Sequence, residues 1–236
     1  MILSKIVTEV HGKLDQIGST GYYTTPETVA AINEGQDLFA LLTLCLETTA
    51  SFTLQPSTTT YHMLATFPDW ICPLRVYLPS GAHIKPARME ELDALDSSWL
   101  GSPGTPKRYA ALGFDLFAIW QQPTVTTPIN ITYAKAPAAL TFDADVPDIQ
   151  EQFHSVLADY AAYRLRMREG AQEFAKALPY FGRFMEQTQK QAQFVRARNL
   201  AGRYDKVPFE ISKADMSRML KFRKDVMPRR EKEDGE

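Results

Sequence analysis

The stretch TPETVAAINEGQDLFALLTLCLETTASFTLQ, residues 25–55, changes its periodicity partway along. Up to about Glu47 it reads as a helix, with Val29, Ile32, Gln36, Phe39, Ala40 and Leu42 to Leu46 carrying the buried face. Thr25-Pro26-Glu27 supplies the start: a hydroxyl cap, a proline in the first turn and an acid near the positive end of the helix dipole. The helix becomes apolar all round near its end, so that end is expected to lie centrally. From Ser51 onward the residues are Thr, Tyr, Phe, Val and Pro, and the segments are short. The chain passes from helix-forming to strand-forming sequence here.

Downstream, SFTLQ, TTYHML, PLRVYLP, AHIKPA, RYAALG, FDLFAIW and NITYAK all read as strands. Pro79-Ser80-Gly81 predicts a hairpin turn, and Gly113 another. At least one face of FDLFAIW is expected in the core. MEELDALDSSW, residues 89–99, predicts a short amphipathic helix within this region. The segment GSPGTPKRY, 101–109, then links helix to strand. It is no phosphate loop: the G-x-x-G-x-x-K spacing is wrong, Arg108 follows the lysine, and Pro103 and Pro106 lack the N–H groups that such a loop uses.

Upstream, residues 2–14 carry a helical stripe, and 15–24 read as a loop. After Pro147 the chain turns helical again, with Asp148-x-x-Glu151 as a capping-box-like start. Gly170 divides this helix from one over 171–200, in which Pro179 predicts a kink or short break. Gly202 ends the compact part. The expected fold is α+β: a helical bundle built from N- and C-terminal helices, with a β-rich insertion and an extended C-terminal arm. In residue ranges, 1–50 and 141–202 form the bundle, 51–140 the inserted domain and 203–236 the arm.

At 44% hydrophobic and 23% charged the 236-residue chain is ordinary globular sequence, and its net charge of −2 describes no general polyanion binder. The charge is uneven: residues 203–230 sum to +5, EKEDGE at the end to −3, and the remaining body to −4. Cys45 and Cys72 form neither a disulfide framework nor a metal spacing, and read as buried thiols. MILSKIVTEVHGK lacks the apolar core of a signal peptide, and LFALLTLCL is too short to cross a bilayer. A soluble protein made in a reducing compartment, with no membrane partner, is expected.

No residue pattern points to chemistry. Asp143 and Asp145 in FDADVPD form a D-x-D pair, but the glycine and glutamate of a calcium loop are missing, and acids belong near a helix start. His11, His62, His83 and His154 are scattered. Glu90 and Glu91 point to different sides of a helix. No G-x-S-x-G and no local cysteine signature occurs. The expectation is no catalytic site, no metal and no cofactor.

The basic arm has three readings: a solvated tail, a nucleic-acid contact, or a protein-docking segment. Docking best accounts for its apolar content, because purely electrostatic tails do not need it. The docking residues are Phe209, Ile211, Met216, Arg218, Met219, Leu220, Lys221, Arg223 and Lys224, with a final helix expected over 212–226.

The order of elements and several segments resemble the adaptor, or head–tail connector, proteins of tailed bacteriophages. AAINEGQDLFA in the second helix is similar to that family's N-E-A/G-Q helix. FPDWICPLRVYLPSGAHIKPA, the helix ending in SSW, the G-S-P segment before FDLFAIWQQPT, and INITYAKAPAAL follow in order. VPDIQEQFHSVLADYAAYRL resembles a later family helix. The resemblance covers most of residues 20–200. It implies a structural virion protein at the neck: a ring, commonly of twelve copies, bridging the portal and tail or nozzle proteins, with a helical part facing the portal and a β part facing the tail. It also implies a portal-embracing arm, whose cations are expected to meet an acidic portal surface or DNA passing through the channel. The alternative is a nucleic-acid-binding protein using the arm.

Overall fold

The computed structural model describes residues 1–15, 22–169 and 171–200. Helix α1 spans Leu3–Lys13 and α2 spans Thr25–Thr43. The cap of α2 is Thr24, one residue earlier than expected: its hydroxyl accepts the Glu27 N–H, and the Glu27 carboxylate accepts the Thr24 N–H at 3.1 Å. This reciprocal box satisfies two donors that a helix start leaves open. The helix stops at Thr43, short of the expected Glu47, because Leu44 turns left-handed with φ of 51°. The predicted loop over 15–24 lies largely outside the described residues.

The strands are β1 (Glu47–Leu54), β2 (Thr60–His62), β3 (Trp70–Tyr77), β4 (His83–Pro86), β5 (Arg108–Leu112), β6 (Leu116–Trp120) and β7 (Thr127–Lys135). They form one seven-stranded sheet in the order β1-β7-β3-β4-β5-β6-β2. Every pair is antiparallel except β4 with β5. A parallel neighbour needs a crossover. Helix α3 (Met89–Leu95) and a 3-10 turn at Trp99–Gly101 make it, and the GSPGTP segment delivers the chain to β5. Gly81 with φ of 86° and Gly113 with φ of 66° close the β3–β4 and β5–β6 turns, where a side chain would strain the backbone.

The sheet curls around its own core. Leu54, Trp70, Val76, Phe117, Ile129 and Ile131 lie in one buried cluster drawn from both ends of the strand order. A second cluster of Leu92, Trp99, Ala110 and Ala118 sits on the other side of β5 and β6, with Trp120 packed against it. Strand β6 is therefore buried on both faces. Phe117 and Ile119 point inward, and Ala118 and Trp120 point toward α3.

This arrangement corrects the expected architecture. The fold is α+β, but it is not a helical bundle carrying a β-rich insertion. Among the described residues a seven-stranded curled sheet stands beside five helices as a principal layer. Read separately, seven short strands look like a minor insertion. Joined by ladders between residues about eighty positions apart, such as Ser51 with Asn130, they enclose a core of their own.

The helical layer is completed by α4 (His154–Arg166) and α5 (Ala171–Leu200). Phe39 of α2 packs on Phe184 of α5 at 6.4 Å, and Phe184 on Tyr160 of α4 at 4.9 Å. Helix α5 runs on through Pro179, so the expected break is not found. Asp148 does not cap α4. Its carboxylate accepts the Ala138 N–H at 3.1 Å and pairs with Lys135 at 3.6 Å, while a 3-10 turn at Glu151–Phe153 opens the helix. The Gly170 break, the end at Gly202 and the arm over 203–236 lie outside the described residues.

Candidate docking site

One turn of α2 ties three parts of the body together. The Asn33 amide makes a reciprocal pair with the backbone of Leu140: its oxygen accepts the Leu140 N–H at 2.9 Å, and its NH₂ donates to the Leu140 carbonyl at 3.0 Å. Glu34 accepts from the Tyr160 hydroxyl at 2.8 Å and from Arg164 Nε at 3.0 Å. Gly35 leaves room for the Tyr160 ring. Gln36, fully buried, donates to the Ala138 carbonyl at 2.9 Å. The N-E-G-Q run thus clamps the connection from β7 to α4 on one side and α4 itself on the other. Burial, then the Glu34 carboxylate, push the Tyr160 hydroxyl pKa well above its ordinary value.

Helix α5, which leads in sequence to the arm, is fixed by charge. Asp159 of α4, mostly buried, takes Arg183 of α5 at 2.8 Å and Lys13 of α1 at 3.1 Å. Arg166 pairs with Glu173 at 2.9 Å and also donates to the Lys13 carbonyl. The Arg183 guanidinium lies over the Tyr180 ring at 4.6 Å from its centre, and the Tyr180 hydroxyl reaches the Lys13 carbonyl. Arg183 is held more firmly protonated by the Asp159 carboxylate.

The predicted docking residues, from Phe209 to Lys224, lie outside the described residues. The candidates for chemistry lie within the described residues. The Asp145 carboxylate accepts the N–H groups of Thr141 and Phe142, at 2.7 and 2.8 Å, which hold it below the usual aspartate range. The carbonyls of Asp145 and Asp143 accept the N–H groups of Leu3 and Ser4, so the D-x-D turn closes the start of α1. His11 meets the Thr28 hydroxyl, His62 the Asp115 carboxylate, His83 the Arg75 guanidinium and His154 the Ile149 carbonyl. Glu91 caps α3 through the Arg88 N–H and approaches Arg108 at 3.9 Å. Cys45 and Cys72 are partly buried, short of the burial expected of them, and burial still pushes the Cys72 thiol up to about 11. No group of three potential metal ligands occurs among the described residues. Nor is any helix there long and apolar enough to cross a membrane.

Sequence reading sent all apolar docking to the arm and missed the tip of the β5–β6 hairpin. Phe114, 78% exposed, stands there beside Leu64 and Leu116. Asp115 anchors the tip: one carboxylate oxygen meets His62 at 2.7 Å and the other accepts the Leu64 N–H at 2.7 Å. The available signal was an aromatic residue directly after a turn glycine.

No curated protein matches this chain. A family model described as SU10 adaptor protein matches residues 1–206, which includes the N-E-G-Q turn, all seven strands and α5, and ends four residues into the basic arm. The chain therefore belongs to the SU10 adaptor protein family, a family of phage head–tail adaptors.

Proposed function

We propose that this protein is a neck adaptor: copies assemble as a ring, of about twelve as the family resemblance implies, between the portal and the tail or nozzle proteins. The observation that carries the reading is the family match over residues 1–206. A body braced by buried clamps and ion pairs suits a part that transmits load. The helical layer faces the portal and the seven-stranded sheet faces the tail, where the Phe114 tip is an apolar contact. The arm over 203–236 docks on the portal through Phe209, Ile211, Met216, Met219 and Leu220, with Arg218, Lys221, Arg223 and Lys224 steering the encounter. The role is structural and requires no catalytic centre, metal or cofactor.

Negative-stain microscopy of the full chain mixed with purified portal rings tests this. A ring of copies stacked on the portal, lost on deletion of residues 203–236, is the expected result. Salt-sensitive DNA binding by a chain that ignores the portal would instead favour the nucleic-acid reading of the arm.

A further inference from the structure

Ion pairing is uneven across the body. On α4, α5 and the 3-10 turn between them the side chains of Arg164, Arg166, Arg168, Lys176, Arg183 and Lys190 each hold a carboxylate. Around β4, by contrast, Arg75, Lys85, Arg88 and Lys107 hold none within ion-pair distance among the described residues.

The sheet register gathers these cations. Val76 and Ile84 are ladder partners and point into the core, so Arg75, Tyr77, His83 and Lys85 point outward. Tyr77 stands opposite His83, and Lys85 opposite Arg108. Arg108, which shares this face with Lys85, approaches Glu91 at 3.9 Å, so Arg75 and Lys85, directly opposite each other across β3 and β4, are the cations left without a carboxylate on it. With strands about 4.8 Å apart and alternate residues about 7 Å apart, the charges span roughly 15 Å. The Arg75 guanidinium lies 5.2 Å from the Tyr77 ring centre and 2.7 Å from His83 Nε2, with no carboxylate in ion-pair distance among the described residues.

The rest of this face offers donors rather than apolar surface. Asn130, Thr132, Thr49 and Ser51 continue it across β7 and β1. None of the exposed large apolar side chains of the described residues stands on β1, β7, β3 or β4. A protein partner would require an apolar centre there. Unpaired cations set among hydroxyls and an amide match the phosphates of a nucleic-acid backbone.

We infer that the outer face of β3 and β4 is a contact for the phosphate backbone of duplex DNA, with Arg75 and Lys85 neutralising charge. These residues are not those of the arm, and the inference does not depend on the adaptor reading. The test uses the full chain and a labelled mixed-sequence duplex of about 25 base pairs, with affinity followed by anisotropy between about 50 and 200 mM salt. Each lost phosphate contact lowers the log–log salt slope by about 0.9, so Arg75→Gln with Lys85→Gln should lower it by about 1.8. That corresponds to roughly a tenfold smaller loss of affinity across this salt range. Lys221→Gln with Lys224→Gln reports the arm separately, and unchanged thermal midpoints show that both variants are folded. The inference is overturned if the wild-type chain fails to bind the duplex at the lowest salt, or if the sheet variant keeps the wild-type slope. It is also overturned if poly-glutamate binds this face more tightly than the duplex does.

Discussion

Gly35 of α2 lies directly under the ring of Tyr160 of α4: a Cβ at position 35 would sit 2.8 Å from Tyr160 Cδ1 and 3.1 Å from Cγ. The ring cannot swing away freely. Phe184 packs on it, and its hydroxyl is bound to Glu34. Gly35 therefore sets how closely these two helices approach, in the middle of the turn that also holds the β7–α4 connection.

Gly35→Ala should lower stability, although alanine is favoured over glycine in a helix by about 1 kcal/mol. Overpacking of this kind costs about 1–3 kcal/mol, and the thermal midpoint should fall by several degrees. In a Tyr160→Ala background the same change should become neutral or stabilising, because the obstruction is gone. Chemical denaturation of the four proteins closes this cycle. A Gly35→Ala chain at least as stable as the parent would show that the helices part without cost.

Asn33→Ala removes both hydrogen bonds to Leu140, a residue only 4% exposed. Leaving that N–H and C=O unmet should cost about 1–3 kcal/mol. Hydrogen exchange checks the mechanism: the Leu140 amide should lose protection in this variant while the β6 amides keep theirs. Equal protection of Leu140 in both proteins would remove Asn33 from the clamp.

Phe117 is fully buried in the sheet core and stacks on Tyr109 at 5.5 Å. Phe117→Ala should cost about 3–5 kcal/mol, as large truncations in packed cores do. Urea unfolding measures it, and a loss below about 1 kcal/mol would place the residue at the surface.

Glu27 should titrate far below an ordinary glutamate. The Arg168 guanidinium first, then the Thr24 N–H and hydroxyl, hold its pKa down to about 2 from 4.5. The sign follows from linkage: a carboxylate depressed in the folded state contributes stability above its unfolded pKa. That contribution is lost as pH falls from about 4.5 through about 2. Carbon-detected titration of the Glu27 carboxyl should show the low midpoint, and Arg168→Ala should raise it. A wild-type midpoint at the ordinary value would contradict the pairing.

In the arm, apolar and charged contributions should separate by salt. Met219→Ala with Leu220→Ala should weaken portal binding at every salt concentration. Lys221→Ala with Lys224→Ala should weaken it mainly at low salt, because screening removes exposed charge contacts at high salt. Pull-down on portal rings over a salt series distinguishes them, and a truncated chain that still assembles fully would reduce the arm to a solvated tail.

Periodicity and turn chemistry are local, and what they determine was legible in the sequence. Each strand-like run, from SFTLQ to NITYAK, contains or overlaps a real strand, and the turns at Gly81 and Gly113 fall where glycine was required. The helices were legible by the same rule, since an apolar stripe needs only residues three and four positions apart. N-E-G-Q was recognisable as a run, but nothing in it names Leu140, Ala138 or Tyr160 as its partners. Those contacts join residues more than a hundred positions apart. Tertiary structure alone decided that β4 lies parallel to β5, that β6 is covered on both faces, and that Arg75 and Lys85 converge. Asp148 shows the limit most simply. Its spacing to Glu151 suits a helix cap, yet its carboxylate goes to the Ala138 N–H, a donor that exists only because β7 and its connection fold back beside it. A local pattern specifies which bonds a side chain is able to make. The folded chain decides which unmet donor is nearest, because a polar group removed from water has to be satisfied by whatever is packed against it.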